Sequence, residues 1–280
     1  MFRIVSKAAL GAFLFLSASV AQTKSAPPLI LDCGIEIVAI DEMPGREMDI
    51  ELFDGPLTNE QRLRYMPGGK APAAVHVFLV RTGGKTYLID AGFGNAVKDG
   101  TIDPSKIEAV LITHEHGDHV GGLLREDGTA NFNAPVFIAK KERDYWNDPA
   151  TPNSELQKNI AGVYGNRYRT FSFGDTLAPG IVAVDASGHT PGHTAFLIGA
   201  GSTKVLIAGD FLHAAALQFP NPNESARFDI NKGAAAARRR QLMEMAEANG
   251  WLIAGIHIPA PGYGRVRSNG RGGFEFTLGK

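Results

Sequence analysis

Residues 109–122 read AVLITHEHGDHVGG, an apolar run from Ala109 to Ile112 succeeded at once by three imidazoles and two carboxylates between His114 and His119. The apolar run predicts a buried strand, and the next residues make a loop rich in metal donors on a rigid support. His114 and His116 are two apart on extended chain and point the same way. Gly117 lets the backbone turn sharply, so that Asp118 and His119 come from the same loop. Imidazole nitrogen and carboxylate oxygen suit borderline metals such as zinc. Four donors in one loop exceed what a single four-coordinate ion would take while keeping a catalytic position open, which argues for two ions.

The remaining donors stand at the ends of other apolar runs: His189 in DASGHTPGHT, Asp210 in VLIAGD and His257 in WLIAGIH. A carboxylate bridges two ions where a neutral imidazole cannot, so Asp210 is the natural shared ligand. The expected assignment gives one ion His114, His116 and His189, and the other Asp118, His119 and His257, with Asp210 and a water-derived hydroxide between them. Such a hydroxide exists near neutral pH because coordination lowers the pKa of water from 15.7 to about 7.

Working outward, the chain reads as an ordinary globular protein: 280 residues, 44% hydrophobic, 28 basic against 29 acidic residues. The net charge of -1 gives no general attraction to nucleic acid or anionic membrane. The one basic run, Arg238-Arg239-Arg240, reads as a solvated helix face. Arg3 and Lys7 precede an apolar stretch, Ala8 to Leu16, and Ser19-Val20-Ala21 offers small residues for cleavage, so Met1 to Ala21 is expected to be a secretory signal and the protein periplasmic or extracellular. The apolar part is well short of the ~20 residues that span a bilayer. Cys33 is the single cysteine, which excludes an intrachain disulfide; it has no evident base partner, which argues against a nucleophilic thiol.

Runs rich in β-branched and aromatic residues predict strands at Val75 to Arg81, Thr86 to Ile89, Val110 to Thr113, Pro135 to Ala139, Ile181 to Val184, Ala195 to Ile198, Val205 to Ala208 and Trp251 to Gly255. Helices are expected after the capping-box spacing at Thr58 to Gln61, from Lys140 to Trp146, and from Gly233 to Ala248 before Asn249-Gly250. Strands interleaved with helices indicate an α/β fold, read as one domain over residues 22–280. VFLVRTGGKTYLID (Val77 to Asp90) and AFLIGAGSTKVLIAGD (Ala195 to Asp210) echo each other, each an apolar run, a Gly-containing turn and a second run that closes on aspartate.

HxHxDH at His114 to His119, with Leu88-Ile89-Asp90-Ala91-Gly92 upstream and then GHTPGHT, LIAGD and a late histidine in order, resembles the metallo-β-lactamase superfamily. The C-terminal stretches GDFLHAAALQFPNP and AGIHIPAPGYGRVR resemble the methyl parathion hydrolase-like branch. The resemblance implies a four-layer αββα sandwich with a dinuclear site at one edge of two sheets. It implies two divalent ions, zinc the usual one with manganese, iron or cobalt admitted, and hydrolysis of lactones, esters or phosphotriesters. Lactone or ester activity is placed first. An iron-bearing redox member of the same fold is the alternative, ahead of a binding module without catalysis and of a β-lactamase. Against the last, the cysteine-using classes should carry Cys near the position of Asp210. The expected partner is a small-molecule substrate, with no nucleic acid and no membrane span; a homodimer is admitted.

Beside the ligands, Asp90 is expected to fix the tautomer of a metal-bound imidazole, and His193 to be a supporting or turn residue because the ligand set is already full. His213 divides evenly between a packed histidine and a group that donates to a leaving or carbonyl oxygen. Besides its place as a ligand, Asp118, or else a metal-bound water, is expected to shuttle the proton, and Trp146 to belong to the pocket wall. Glu115 reads as a structural or solvated carboxylate pointing away, and His76 as a core residue.

Overall fold

A computed structural model describes residues 24–279, so the export segment read at Met1 to Ala21 lies outside the described residues. Alternation along the strands explains the layering. In His76–Thr82, Phe78 and Val80 point one way and Val77 and Leu79 the other; in Glu36–Asp41 the split is Ile37 and Ala39 against Val38 and Ile40. A strand that is apolar on both faces must be covered on both. One set packs with Phe196, Ile198, Val205 and Ile207 of a second sheet, the other with helical side chains that include Ala96, Ile160 and Tyr164. The second sheet repeats the pattern, with Leu206 and Ile253 turned outward onto Leu242, Met243 and Ala246 of the helix Lys232–Asn249. Helices, sheet, sheet and helices form the four-layer αββα sandwich expected from the sequence.

The first sheet has eight strands, in the order Lys24–Ser25, Glu36–Asp41, His76–Thr82, Lys85–Ile89, Ile107–Leu111, Val136–Ala139 and Tyr168–Phe171, with Leu29–Ile30 also paired to Glu36–Asp41. The second has seven, from Thr176–Ala178 through Ile181–Asp185, Thr194–Ile198, Val205–Ile207, Leu252–Ala254 and Tyr263–Ser268 to Phe274–Leu278. The internal echo is structural. His76–Thr82 and Lys85–Ile89 form an antiparallel hairpin whose second strand lies parallel to Ile107–Leu111; Thr194–Ile198 and Val205–Ile207 form another, whose second strand lies parallel to Leu252–Ala254.

Each predicted strand and helix is present within a few residues of its expected bounds, including the capping box of Thr58 with Gln61 before Asn59–Arg62. One reading is overturned. Arg238 and Arg240 are partly exposed, but Arg239 is fully buried and donates to the carbonyls of Phe211, Pro222 and Glu224, so the basic run is not a solvated face. Among the described residues, no helix is long and apolar enough to cross a membrane.

Candidate metal centre

Parallel strands all run out at one edge of the sandwich, and the candidate residues stand just beyond their carboxyl ends. Asp90 comes after Lys85–Ile89, the His114 to His119 loop after Ile107–Leu111, Asp210 after Val205–Ile207 and His257 after Leu252–Ala254. His189 comes from the turn between Ile181–Asp185 and Thr194–Ile198. Open α/β sheets commonly place ligand sites at such strand ends. The loop from the first sheet reaches the second directly, since the Thr194 amide donates to the Thr113 carbonyl at 2.9 Å.

Seven donors converge in two groups, His114, His116, His189 and Asp210 in one and Asp118, His119 and His257 in the other, the donor atoms of each group lying within 4.8 Å of one another. Asp210 straddles the two. Its Oδ2 is 3.6 Å from His114 Nε2 and 3.4 Å from His189 Nε2, while Oδ1 is 3.1 Å from His119 Nε2 and 3.2 Å from His257 Nε2.

The outer ring nitrogens of four of the histidines each meet an acceptor, three of them a group that can only accept, which places a hydrogen there. His189 Nδ1 donates to Asp229 Oδ1 at 2.8 Å, His119 Nδ1 to Asp90 Oδ2 at 2.7 Å, and His257 Nδ1 to the Ala74 carbonyl at 2.9 Å. The Thr113 hydroxyl gives its proton to Asp90 at 2.7 Å and so accepts from His114 Nδ1 at 3.1 Å. In neutral rings the Nε2 lone pairs then all point inward. There His114 Nε2 and His189 Nε2 lie 3.0 and 2.9 Å from His116 Nδ1, while His119 Nε2 and Asp210 Oδ1 are buried without a hydrogen-bond partner. Lone pairs held this close repel unless a proton or a metal ion lies among them, and the orphaned buried groups are costly. The donor set therefore fits a pair of borderline divalent ions. The donors divide in protonation: burial holds His114 well below its ordinary value and His116 at about 3, whereas, against burial, the carboxylates of Asp210 and Asp118 hold His119 well above its ordinary value and raise His257, the positive charge a cation would replace. Although burial opposes it, the surrounding histidines hold Asp210 well below the usual carboxylate range, so it is ionised.

Around the donors lies a second set of contacts. Asp90 accepts from the Thr113 amide as well, at 2.7 Å. Its φ of 58° is a left-handed conformation that costs an L-residue about 1–2 kcal/mol. His193 accepts from the Asp210 amide on Nε2 at 2.8 Å and donates to the Ala186 carbonyl at 2.9 Å, so it is spent on the backbone, and burial lowers it to about 3. His76 is buried against the Gly255 carbonyl. Glu115 is buried rather than solvated: it takes the Tyr168 hydroxyl, and burial pushes its carboxyl up to about 8.

Trp146 stands edge-on to His116 with ring centroids 5.8 Å apart and donates to Glu142 Oε1 at 2.8 Å, so it meets the site from behind a donor. His213 lies 3.3 Å from Asp210 Oδ2, stacks on His257 and has no hydrogen-bond partner on either ring nitrogen.

Beside His116, Asp118, Asp210, His213 and His257, a cavity of about 370 Å³ opens, walled by Arg46, Met48, Leu52, Phe93 and Phe228. Phe93 and Phe228 are about half exposed at its mouth, and Trp146 is not part of this wall, contrary to the expectation from the sequence, because its indole is turned to Glu142. The wall residues, Asp229 and Glu142 carry no sequence signal of their own. Asp229 lies in the polar run NESARFDINKG and Glu142 in KKERDYW, where nothing local separates them from surface charge.

Comparison with known proteins agrees with this geometry. A sequence model of the Metallo-beta-lactamase superfamily matches residues 71–266. The chain is similar to the Probable metallo-hydrolase YybB of Bacillus subtilis (strain 168), 27% identical over 163 residues, which is 56% of this chain and 71% of that one. It is also similar to a hydroxyacylglutathione hydrolase of Shewanella pealeana, 29% identical over 46% of this chain and 42% of the relative. Among solved structures, the hydrolase AbOPH of the beta lactamase superfamily superposes with a TM-score of 0.77 at 25% identity, covering 91% of this chain and 98% of that one. AidC, a dizinc quorum-quenching lactonase, superposes with a TM-score of 0.79 at 22% identity, covering 93% and 98%.

Proposed function

The chain belongs to the metallo-beta-lactamase superfamily and is a metal-dependent hydrolase of that fold, and from this we propose that it binds two divalent ions, zinc foremost, and cleaves small hydrophobic lactones or esters. One observation carries the proposal: inward donor atoms of five imidazoles and two carboxylates, divided by Asp210 into two groups, open onto a largely apolar cavity. His114, His116 and His189 would hold one ion, Asp118, His119 and His257 the other, and Asp210 both. Ions so held supply Lewis acidity, polarising a carbonyl or phosphoryl oxygen and lowering the pKa of water.

The chain's own groups do the rest. Met48, Leu52, Phe93 and Phe228 exclude water and seat an apolar chain, which orients the electrophile toward the donors. His213, with both nitrogens unpartnered beside Asp210, offers an N–H to the developing oxyanion or the leaving oxygen. Asp118, the more open of the two carboxylates, takes up the proton. The lactonase AidC, seen with an N-hexanoyl-L-homoserine product, supports the substrate class at the level of fold. Phosphotriesters present the same kind of electrophile and stand second, on the branch resemblance of the C-terminal motifs.

The test is a zinc-loaded sample screened against lactones, aryl esters, phosphotriesters and a β-lactam, beside His116→Ala. Turnover of a lactone or ester that falls at least about a hundredfold in the variant is expected. An ion-bearing parent that turns over none of these, or a variant as fast as the parent, overturns the proposal.

A further inference from the structure

Glu142 belongs to neither group of donors and touches no part of the cavity, yet it is completely buried. It sits in the first turn of the helix Lys140–Asn147, directly after the strand Val136–Ala139. Its carboxylate meets four donors from three places. Oε1 accepts from the Glu115 amide at 3.1 Å and from Trp146 Nε1 at 2.8 Å; Oε2 accepts from the Thr190 hydroxyl at 2.7 Å and the Gly192 amide at 2.8 Å. Glu115 lies between His114 and His116, and Thr190 is next to His189 in the chain. The indole stands edge-on to His116. The contact with the second loop is close enough to dictate a glycine, since a Cβ on Gly192 would lie 2.1 Å from the Glu142 nitrogen.

We propose that Glu142 is a positioning residue for one ion: it ties the His114–His116 loop of the first sheet to the His189 loop of the second, and so sets the spacing of that ion's three imidazoles. The inference rests on the reading of the site as a metal centre. Nothing comparable joins Glu142 to the other group, for among the described contacts its carboxylate bonds to no residue adjacent to His119 or His257. The effect is therefore selective. Outer partners of metal ligands characteristically change affinity by about 10–100-fold when replaced.

Glu142→Gln keeps the shape but turns an NH₂ toward two donors, releasing one loop or the other. The experiment follows zinc release from the loaded protein to a chromogenic chelator, with folding monitored by circular dichroism. The parent should release two ions per chain; in Glu142→Gln one phase should quicken by about 10–100-fold while the other stays within about threefold. Thr190→Val, which removes one bond of the four, should quicken the same phase by a smaller factor, and it serves if Glu142→Gln does not fold. Equal acceleration of both phases, or of neither, overturns the inference while leaving the hydrolase reading intact. A parent that binds no zinc overturns both.

Discussion

Asp229 and Arg239 show how much of the site's stability is vested in single side chains away from the donors. Asp229 accepts from His189 Nδ1 at 2.8 Å and from the Ala226 amide at 3.0 Å, with the Arg239 guanidinium 3.5 Å away and nothing of that group exposed. An ionised partner on the outer nitrogen fixes the ring and makes the inner nitrogen a stronger donor. Asp229→Asn should therefore weaken zinc binding by about 10–100-fold, read by competition with a chelator, in a protein that still folds; unchanged affinity would mean that His189 needs no such partner. The donors themselves are legible in the sequence because imidazoles and carboxylates crowded into six positions after a buried strand would repel or stay unsatisfied unless a metal gathered them. Asp229, Glu142 and Arg239 are illegible for the opposite reason. A charged residue in a polar run is nearly always at the surface, and only the tertiary path of the chain reveals that these three are inside.

At the level of elements, the site depends on how closely loops approach one another. Gly122 donates its amide to the Gly92 carbonyl, and a Cβ on it would lie 2.1 Å from the Ala91 carbonyl oxygen and 2.6 Å from the Gly94 nitrogen. Backbone of this kind has no side chain to swing away. Gly122→Ala should destabilise by about 3 kcal/mol or more, whereas Gly128→Ala, at φ +78° with nothing within 4 Å, should cost only the ~1–2 kcal/mol of a left-handed alanine. Urea denaturation of the two variants gives the order, and a reversed order would show that the turn from Ala91 to Gly94 can yield, so that the close approach does not matter. The hairpins are legible because their strands are buried on both faces and read as continuous apolar runs. Tyr263–Ser268 and Phe274–Leu278 escape such a reading, as they carry exposed residues such as Arg265, Arg267 and Glu275 at one margin of the second sheet. Glu36–Asp41 escapes it beside a proline-containing lead-in, although both of its faces are covered.

For the whole molecule, the division of donors between the two sheets would make each proposed ion a link across the sandwich. Asp90 and the His114 to His119 loop belong to the first sheet, and His189, Asp210 and His257 to the second. Ligand that binds only the folded form adds about 4 kcal/mol at a thousand times its dissociation constant. Chelation should thus lower the melting temperature by on the order of 10 °C, and added zinc should restore it; a melting temperature indifferent to chelator would mean that the sheets hold their spacing without ions. The order of the donors along the chain has a temporal side as well. His257 is the last of the seven and is held by the carbonyl of Ala74, in the lead-in to the first-sheet strand His76–Thr82, so a growing chain cannot close the centre until nearly all of it has been made. Loading of the complete centre would then be an event of maturation rather than of synthesis, dependent on the finished chain and not on any early segment of it.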